Sequence, residues 1–300
     1  MKTENAMQLK AKINNKSKEL SVPPQIMLQN YLMECFLERL EKSEYSDRFI
    51  IKGGVLIASF VGISHRTTMD IDTTINNIPL NETVITKIIS SICSVENDDD
   101  FIFSLDRVEP IREDDKYNGF RAFVLADYEK MHVTLTLDIT AGDSIYPKPR
   151  KHKFAKIFES GSFSLLTYPL ENVLAEKLET ILVRNITTTR PRDFYDVYVL
   201  STDLTRINTE DLKTALELTC RHRGSEKVLS QIQDLVAAIK NSENLHELWL
   251  KYTKKMPYAA NVSFEQAVEK VEELLNSMML IPYFWNTASI MKLSGMTNSL

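Results

Sequence analysis

The spacing of apolar residues predicts a mixed α/β first half of the chain. Residues 24–41, which begin at a proline pair, carry apolar side chains three and four positions apart, as an amphipathic helix does. Residues 48–52 form a short apolar run that stops at Gly53-Gly54, and residues 55–61 have the length and composition of a helix that opens at these glycines. We therefore expect a strand, a glycine turn and a helix in direct succession.

Two later segments alternate apolar and polar residues. This period of two, at residues 69–75 and 132–139, predicts half-buried strands. Between them, the pattern predicts a helix at 81–93 and further strands near 101–108 and 119–127.

From Leu170 onward the apolar period becomes helical. The predicted helices span 170–185, 191–201, 209–222, 225–240, 243–254 and 263–278. Ser263 and Gln266 form a capping box at the start of the last one. The fold class is therefore α+β, with an α/β domain at 1–165, a helical bundle at 166–300 and no flexible linker between them.

The composition is that of a folded globular chain. Of the 300 residues, 43% are hydrophobic and 26% charged, with only 8 Gly and 10 Pro, which excludes disordered and collagen-like classes. Three cysteines are too few for a disulfide framework or a zinc site and fit a reducing compartment. No apolar run approaches the roughly 18 residues of a membrane span. We expect a cytoplasmic protein without a membrane partner.

The charge is unevenly distributed. The chain carries a net −5, yet residues 147–192 hold nine Lys or Arg against four acids. Such a segment is either a solvated face or a phosphate-binding surface, and residues 147–156 are the candidate guide for a nucleic acid.

Three aspartates are candidate metal ligands. Asp70 and Asp72 lie two apart on a predicted strand, so their side chains leave the same face with α-carbons about 6.7 Å apart. Asp138 projects from the polar face of its own strand. If the two strands are neighbours, the three carboxylates converge and suit Mg²⁺ ions that assist phosphoryl transfer. The alternative is a polar strand face that meets solvent.

Gly53-Gly54 can bring backbone N–H groups and a helix N-terminus against a phosphate. The pair lacks the Gly-Lys-Ser/Thr ending of a Walker loop and the third glycine of a dinucleotide fingerprint. Its alternative interpretation is a plain tight turn.

Two predicted helices carry charged residues in unusual places. Lys177 and Arg184 share an apolar-leaning face of helix 170–185, from which they either extend to solvent or enter a cleft that holds a triphosphate. Asp193 and Asp196 lie one turn apart on the next helix. Asp193 complements the helix dipole, whereas Asp196 lies deeper and is the candidate to position Lys177 or an acceptor group.

In combination and order, these motifs resemble the AbiEii/AbiGii abortive-infection toxins, which are nucleotidyltransferase-like proteins of bacterial type IV toxin–antitoxin systems. The resemblance rests on residues 52–56 followed by 66–72, on Lys177 with Arg184, and on residues 192–198. Gly54 stands where many nucleotidyltransferases carry Ser, so a hydroxyl contact to the triphosphate is missing from this chain.

The resemblance implies an N-terminal nucleotidyltransferase fold and a reaction in which NMP passes from an NTP to an acceptor with release of pyrophosphate. It implies a cognate antitoxin, a role in defence against phage, and RNA, tRNA in particular, as the acceptor. Two other functions stay open: transfer to a small molecule such as an antibiotic, which an acidic groove would favour, and nucleotide binding without turnover.

The resemblance also assigns roles to residues. Asp70 and Asp72 would bind Mg²⁺ or Mn²⁺, and Asp138 would complete the metal site or act as the general base. The nucleotide would contact Gly53, Gly54, Lys177 and Arg184; Lys177 and Asp196 would serve catalysis, and Arg192 and Asp193 would be partners within the helix motif.

Overall fold

The computed structural model describes residues 1–111 and 119–279. Residues 112–118, between the strands predicted near 101–108 and 119–127, and the end of the predicted helical domain, 280–300, lie outside the described residues. The helices are α1 (Ala6–Leu20), α2 (Pro24–Lys42), α3 (Gly53–Val61), α4 (Glu82–Cys93), α5 (Leu170–Arg184), α6 (Pro191–Leu200), α7 (Thr209–Arg223), α8 (Ile232–Lys240), α9 (Glu243–Lys255) and α10 (Phe264–Met279). The strands are β1 (Phe49–Lys52), β2 (Asp70–Ile75), β3 (Ile102–Pro110), β4 (Gly119–Tyr128), β5 (Met131–Ala141), β6 (Arg150–Ala155) and β7 (Ser162–Thr167).

All seven described strands form one mixed sheet in the order β3-β4-β5-β2-β1-β7-β6. Strand β2 runs parallel to β5 and antiparallel to β1, and β1 runs parallel to β7. The sheet therefore places β2 at its centre, with β1 on one side and β5 on the other.

Alternation along the central strands decides which face carries the chemistry. Ile71 on β2 and Leu137 and Ile139 on β5 are buried, at 1% exposure or less. Their polar neighbours therefore leave from the opposite face. The apolar face contributes to one continuous core, which also includes α2 and the C-terminal helices.

The α+β fold class is confirmed, and most predicted elements lie within two residues of their observed bounds. The capping box of α10 is also confirmed, because the Ser263 N–H donates to Gln266 at 2.8 Å and the Gln266 N–H donates to Ser263 at 3.2 Å. The last strand ends at Thr167 and helix α5 begins at Leu170. The domain division at residue 165 stays a prediction.

One predicted helix is wrong and three elements were missed. The single helix expected at 225–240 is a 3₁₀ turn at Glu226–Ser230 followed by α8, because Gly224 ends α7 in the left-handed conformation and the chain has to restart. The sequence analysis predicts neither helix α1 nor strands β6 and β7. None of the described helices has the length and apolar character required to cross a bilayer.

Candidate active site

The register of the sheet brings the predicted acidic residues together. Asp72 pairs across β2 and β5 with Asp138 and, on its other side, with Lys52 of β1. Asp70 lies two residues before Asp72 on the same strand face. The three carboxylates therefore occupy one end of the polar sheet face, as the sequence predicts.

The glycine pair closes directly over this acidic end. Gly53 has a φ of +63°, and a Cβ at Gly53 would overlap the Asp72 carboxylate. A Cβ at Gly54 would overlap the Thr68 side chain. The Gly54 N–H also donates to Asp72 Oδ2 at 3.4 Å. Both positions require glycine, so the pair is more than a plain turn.

Each aspartate has a different set of partners. Thr68 Oγ1 donates to Asp70 Oδ1 at 2.7 Å. Arg121 of β4 holds both oxygens of Asp138, each at 2.7 Å. Burial raises the pKa of Asp72, and the charges of Asp70 and Asp138 add to the rise while Lys52 opposes it. Negative charge thus accumulates at Asp72 and favours a cation there.

The donor chemistry fits a divalent metal at Asp70 and Asp72, since carboxylate oxygens are the ligands that Mg²⁺ prefers. Within residues 1–111 and 119–279, no group of three His, Cys, Asp or Glu side chains is arranged to hold a metal ion. At this site, Arg121 engages both oxygens of the third carboxylate, Asp138. The predicted three-carboxylate set is therefore adjacent but not assembled.

A buried ionic cluster links the sheet to the helices. Lys177 Nζ lies 2.6 Å from Asp193 Oδ1 and 2.9 Å from Asp196 Oδ2. Arg66 Nε lies 2.7 Å from Asp196 Oδ1. Burial alone would raise the pKa of Asp196, but the charges of Arg66 and Lys177 lower it to about 2. Asp196 is therefore a carboxylate with two cationic partners, one of which is Lys177 as expected.

The remaining predicted residues separate into two groups. Arg190 Nε pairs with Asp193 at 2.9 Å, and the exposed side chain of Arg192 borders the same cleft as Asp70. Arg184, at the end of α5, is exposed and lies outside the cleft lining. The structure thus gathers all predicted site residues except Arg184.

A cleft of about 590 Å³ lies between the sheet and the helices, and its lining includes most of these residues but not Asp193 and Asp196, which contact Lys177. Its sheet side carries the glycine pair and the three aspartates. Its helical side carries five cationic side chains: Lys177, Arg190, Arg192, Lys251 and Lys255. Leu248, Tyr252 and Met256 of the same helical side form an apolar stripe beside the α9 lysines. The carboxylates of the lining thus lie on the sheet side, and its cations, apart from Arg66 in the loop before β2, lie on the helical side.

Sequence reasoning missed several of these contributors. It assigned no role to Arg66 or Arg121, nor to the two lysines of α9. The only available signal for α9 is the i, i+4 spacing of Lys251 and Lys255 next to an apolar stripe of the same period. The basic segment 147–156, in contrast, lies on and before the edge strand β6, and none of its cationic residues lines the cleft.

The seven-stranded mixed sheet, with a glycine pair over an acidic strand and helices packed against it, agrees with the nucleotidyltransferase fold that the resemblance implies. The sequence pattern of the family described as "Nucleotidyl transferase AbiEii toxin, Type IV TA system" matches residues 35–270. The chain therefore belongs to the AbiEii family of nucleotidyltransferase toxins of type IV toxin–antitoxin systems, which confirms the resemblance drawn from the motifs.

Solved structures give weaker likenesses. The protein JHP933 from Helicobacter pylori is 13% identical, with 91% of this chain and 98% of that chain covered and a TM-score of 0.48. An antigenic nucleotidyltransferase-like protein from Paracoccidioides brasiliensis is 15% identical, with 69% and 91% covered and a TM-score of 0.37. No curated protein matches the chain.

Proposed function

We propose that this protein is a toxin that transfers NMP from an NTP to RNA in the cytoplasm, with release of pyrophosphate and dependence on Mg²⁺ or Mn²⁺. The observation that carries the proposal is the cleft with carboxylates and a glycine pair on one side and five cations on the other. A nucleotide and a polyanionic acceptor both need such a division of charge.

The sheet side is the proposed donor site. Because Gly53 and Gly54 lack side chains and begin α3, a triphosphate can approach the N-terminal backbone of that helix. Asp70 and Asp72 would hold the divalent metal, which when bound would neutralise charge on the transferred phosphoryl group. Thr68 fixes the orientation of Asp70.

Asp138 is the proposed third carboxylate, as metal ligand or general base. Arg121, whose side chain is 42% exposed, holds both of its oxygens. Either role requires one oxygen to exchange Arg121 for the metal or for the acceptor hydroxyl. Arg121 thus keeps Asp138 aligned beside Asp72 until the substrates bind.

Lys177 is the proposed cation for the triphosphate. Its ammonium lies at the cleft with 15% of the side chain exposed, between Asp193 and Asp196. Two carboxylates on one helix hold the ammonium in a single position, and Asp196 serves the reaction through this positioning. Arg184 has no role in the proposed site.

The acceptor assignment follows from the helical side of the cleft. Four cations line the cleft together with the acidic strand: Arg190, Arg192, Lys251 and Lys255. A cationic acceptor such as an aminoglycoside would be repelled there, whereas the phosphates of an RNA strand would be attracted. This charge pattern favours RNA over a small cationic acceptor.

The test is a transfer assay with the full chain. Each labelled NTP is incubated with the protein, Mg²⁺ and total bacterial RNA, and the label is located. Label in RNA that disappears with Asp72→Asn supports the proposal. Label only in a small molecule selects the antibiotic-type reaction, and nucleotide binding without any product selects the binding module. A cognate antitoxin, as the type IV family implies, should relieve the growth inhibition that the active protein causes.

A further inference from the structure

A second cavity of about 350 Å³ lies apart from the proposed active site. It is bordered by α1, α2, α3 from Val55 onward with the residues that follow it, and the segment from β6 to β7. It shares no lining residue with the active-site cleft, although the first residues of α3 line that cleft. The cavity is therefore a separate site on the same helix.

The walls of this cavity are mainly apolar. Leu37 of α2, Val55 of α3, and Phe154 and Phe163 of the β6–β7 hairpin contribute large apolar surfaces. A volume of 350 Å³ is at the lower end of the roughly 300–1,000 Å³ of small-molecule pockets. The size fits a small molecule with an apolar body.

Three charged side chains border the cavity, and two of them are already paired. Lys16 Nζ lies 2.8 Å from Glu19, and Lys156 Nζ lies 3.0 Å from Glu38. Glu34 is 8% exposed and accepts a hydrogen bond from the Ile157 N–H at 2.7 Å through Oε2. The structure shows no ion pair for Glu34 within residues 1–111 and 119–279, so among the three charged side chains of the cavity only its carboxyl lacks a salt-bridge partner.

The pKa of Glu34 reflects the burial of its carboxyl. Burial raises its pKa to about 7, against the opposing hydrogen bond from Ile157, and the neighbouring Glu38 adds to the rise. Lys156 and the N-terminal ammonium oppose it. A buried carboxylate without a cationic partner is costly, and a bound cation would remove that cost.

We propose that this cavity binds a small amphipathic organic cation, whose apolar body packs against the walls and whose ammonium pairs with the carboxylate of Glu34. The complementarity is chemical: an apolar surface with one unpaired carboxyl selects an amine over the alcohol of the same shape and rejects the corresponding anion. The site is independent of the nucleotidyl transfer reaction.

The test uses phenethylamine as the probe and 2-phenylethanol as its uncharged analogue. Calorimetric titration of the full chain at pH 8 should show that the amine binds at least about tenfold more tightly than the alcohol, the lower range for a hydrogen bond to a charged group. The amine stays protonated below pH 8, as lysine does, whereas Glu34 becomes neutral. The preference should therefore decline as the pH falls through 7, and alcohol binding should not change.

Glu41→Gln is the matched control for Glu34→Gln. Both residues lie on α2 and accept a backbone N–H from the β6–β7 segment, since Glu41 accepts from Ser164 at 2.6 Å, but Glu41 does not line the cavity. Glu34→Gln should lose at least about tenfold in amine affinity. Glu41→Gln should keep it. A filled cavity, made by Ala58→Met, should lose both probes.

Three results would overturn the site. These are equal affinity for amine and alcohol, unchanged amine affinity in Glu34→Gln, and loss of amine binding in Asp72→Asn, which would place the amine in the active-site cleft. If Glu34→Gln does not fold, the loss of both probes in Ala58→Met and the pH dependence of the amine preference still test the site. Absence of binding by either probe at millimolar concentration would also reject a small-molecule site and leave a lysine side chain of a protein partner as the occupant.

Discussion

Replacement of Asp196 by Asn should lower the free energy of unfolding more than the same replacement of any exposed aspartate would. Asp196 is fully buried and binds Arg66 at 2.7 Å and Lys177 at 2.9 Å. The asparagine keeps the shape but removes the charge, and its NH₂ group would face one of the two cations. Arg66, whose side chain is 3% exposed, would then lose the Asp196 carboxylate, and Lys177, with 15% exposed, would keep only Asp193, which also pairs with Arg190.

The magnitude can be estimated in two ways. The pKa of Asp196 is lowered from 3.8 to about 2, and each pKa unit corresponds to about 1.4 kcal/mol, which gives roughly 2.5 kcal/mol at neutral pH. Removal of one partner from a buried ion pair costs about 3–5 kcal/mol. We therefore expect Asp196→Asn to lower the free energy of unfolding by about 2–5 kcal/mol at pH 7.

The lowered pKa of Asp196 also determines how its contribution to stability changes with pH. Because the folded-state pKa is depressed, the contribution of Asp196 is complete above about pH 4 and is lost as the pH falls toward 2. Urea unfolding of wild type and variant from pH 7 to pH 2.5 should show a difference that narrows only below pH 4. Asp106→Asn, at an exposed pair with Arg107, should change stability by less than about 1 kcal/mol.

A difference below about 1 kcal/mol at pH 7 for Asp196→Asn, or one that stays constant down to pH 2.5, would refute the ionic description of the cluster. An equal destabilisation in Asp106→Asn would show that the effect is not specific to the buried site. Either result would also weaken the proposed positioning of Lys177 by Asp196.

Other variants test the proposed site directly. Asp72→Asn should abolish toxicity and nucleotide transfer but leave the melting temperature equal or higher, because it removes carboxylate repulsion; full growth inhibition at equal expression contradicts metal catalysis. Lys177→Ala should weaken NTP binding by about 1.5–3 kcal/mol, whereas Arg184→Ala on the same helix should not; equal weakening by both contradicts the assignment. Lys251→Ala with Lys255→Ala should reduce the salt dependence of RNA binding by about 0.7 log units for each phosphate that is no longer neutralised, measured by titration in increasing salt. Lys151→Ala with Lys153→Ala, on β6, should leave the salt dependence of RNA binding unchanged.

The sequence was sufficient wherever a short spacing decides the structure. Period-two alternation places Asp70 and Asp72 on one strand face, and the glycine pair after an apolar run indicates the turn above them. Two carboxylates one turn apart on α6 and a lysine on the apolar side of α5 likewise follow from helical periodicity. These features are local, so no knowledge of the partner elements is needed.

Weakly patterned elements escaped prediction. In β6 only Phe154 is buried, and the other positions are exposed or half-buried, because the strand lies at the sheet edge. From the sequence, its lysines and arginine therefore indicate either a solvated face or a phosphate-binding surface, and such charges also protect a sheet edge from pairing. In α1, only Leu9, Ile13 and Ser17 are buried, so the apolar stripe is too thin to detect.

Contacts between distant elements were also inaccessible. Arg121 reaches Asp138 because the antiparallel register of β4 and β5 pairs these residues. Lys251 and Lys255 enter the cleft because α9 packs against α6. Neither contact follows from a local pattern, so the positions of Arg121 beside Asp138 and of the two α9 lysines in the cleft required the structure.

The loop between α3 and β2 links the acidic strand β2 to helix α6. Arg66 lies in the loop between α3 and β2 and binds Asp196 of α6, while the hydroxyl of Tyr195 donates to the His65 carbonyl at 2.8 Å. Two residues beyond Arg66, Thr68 orients Asp70. The helix that fixes Lys177 therefore also fixes the loop that leads into the acidic strand. Disruption of either helix contact should therefore displace the proposed metal ligands and Lys177, the proposed cation for the triphosphate, together, although Arg66 and Asp196 are 130 residues apart in the sequence.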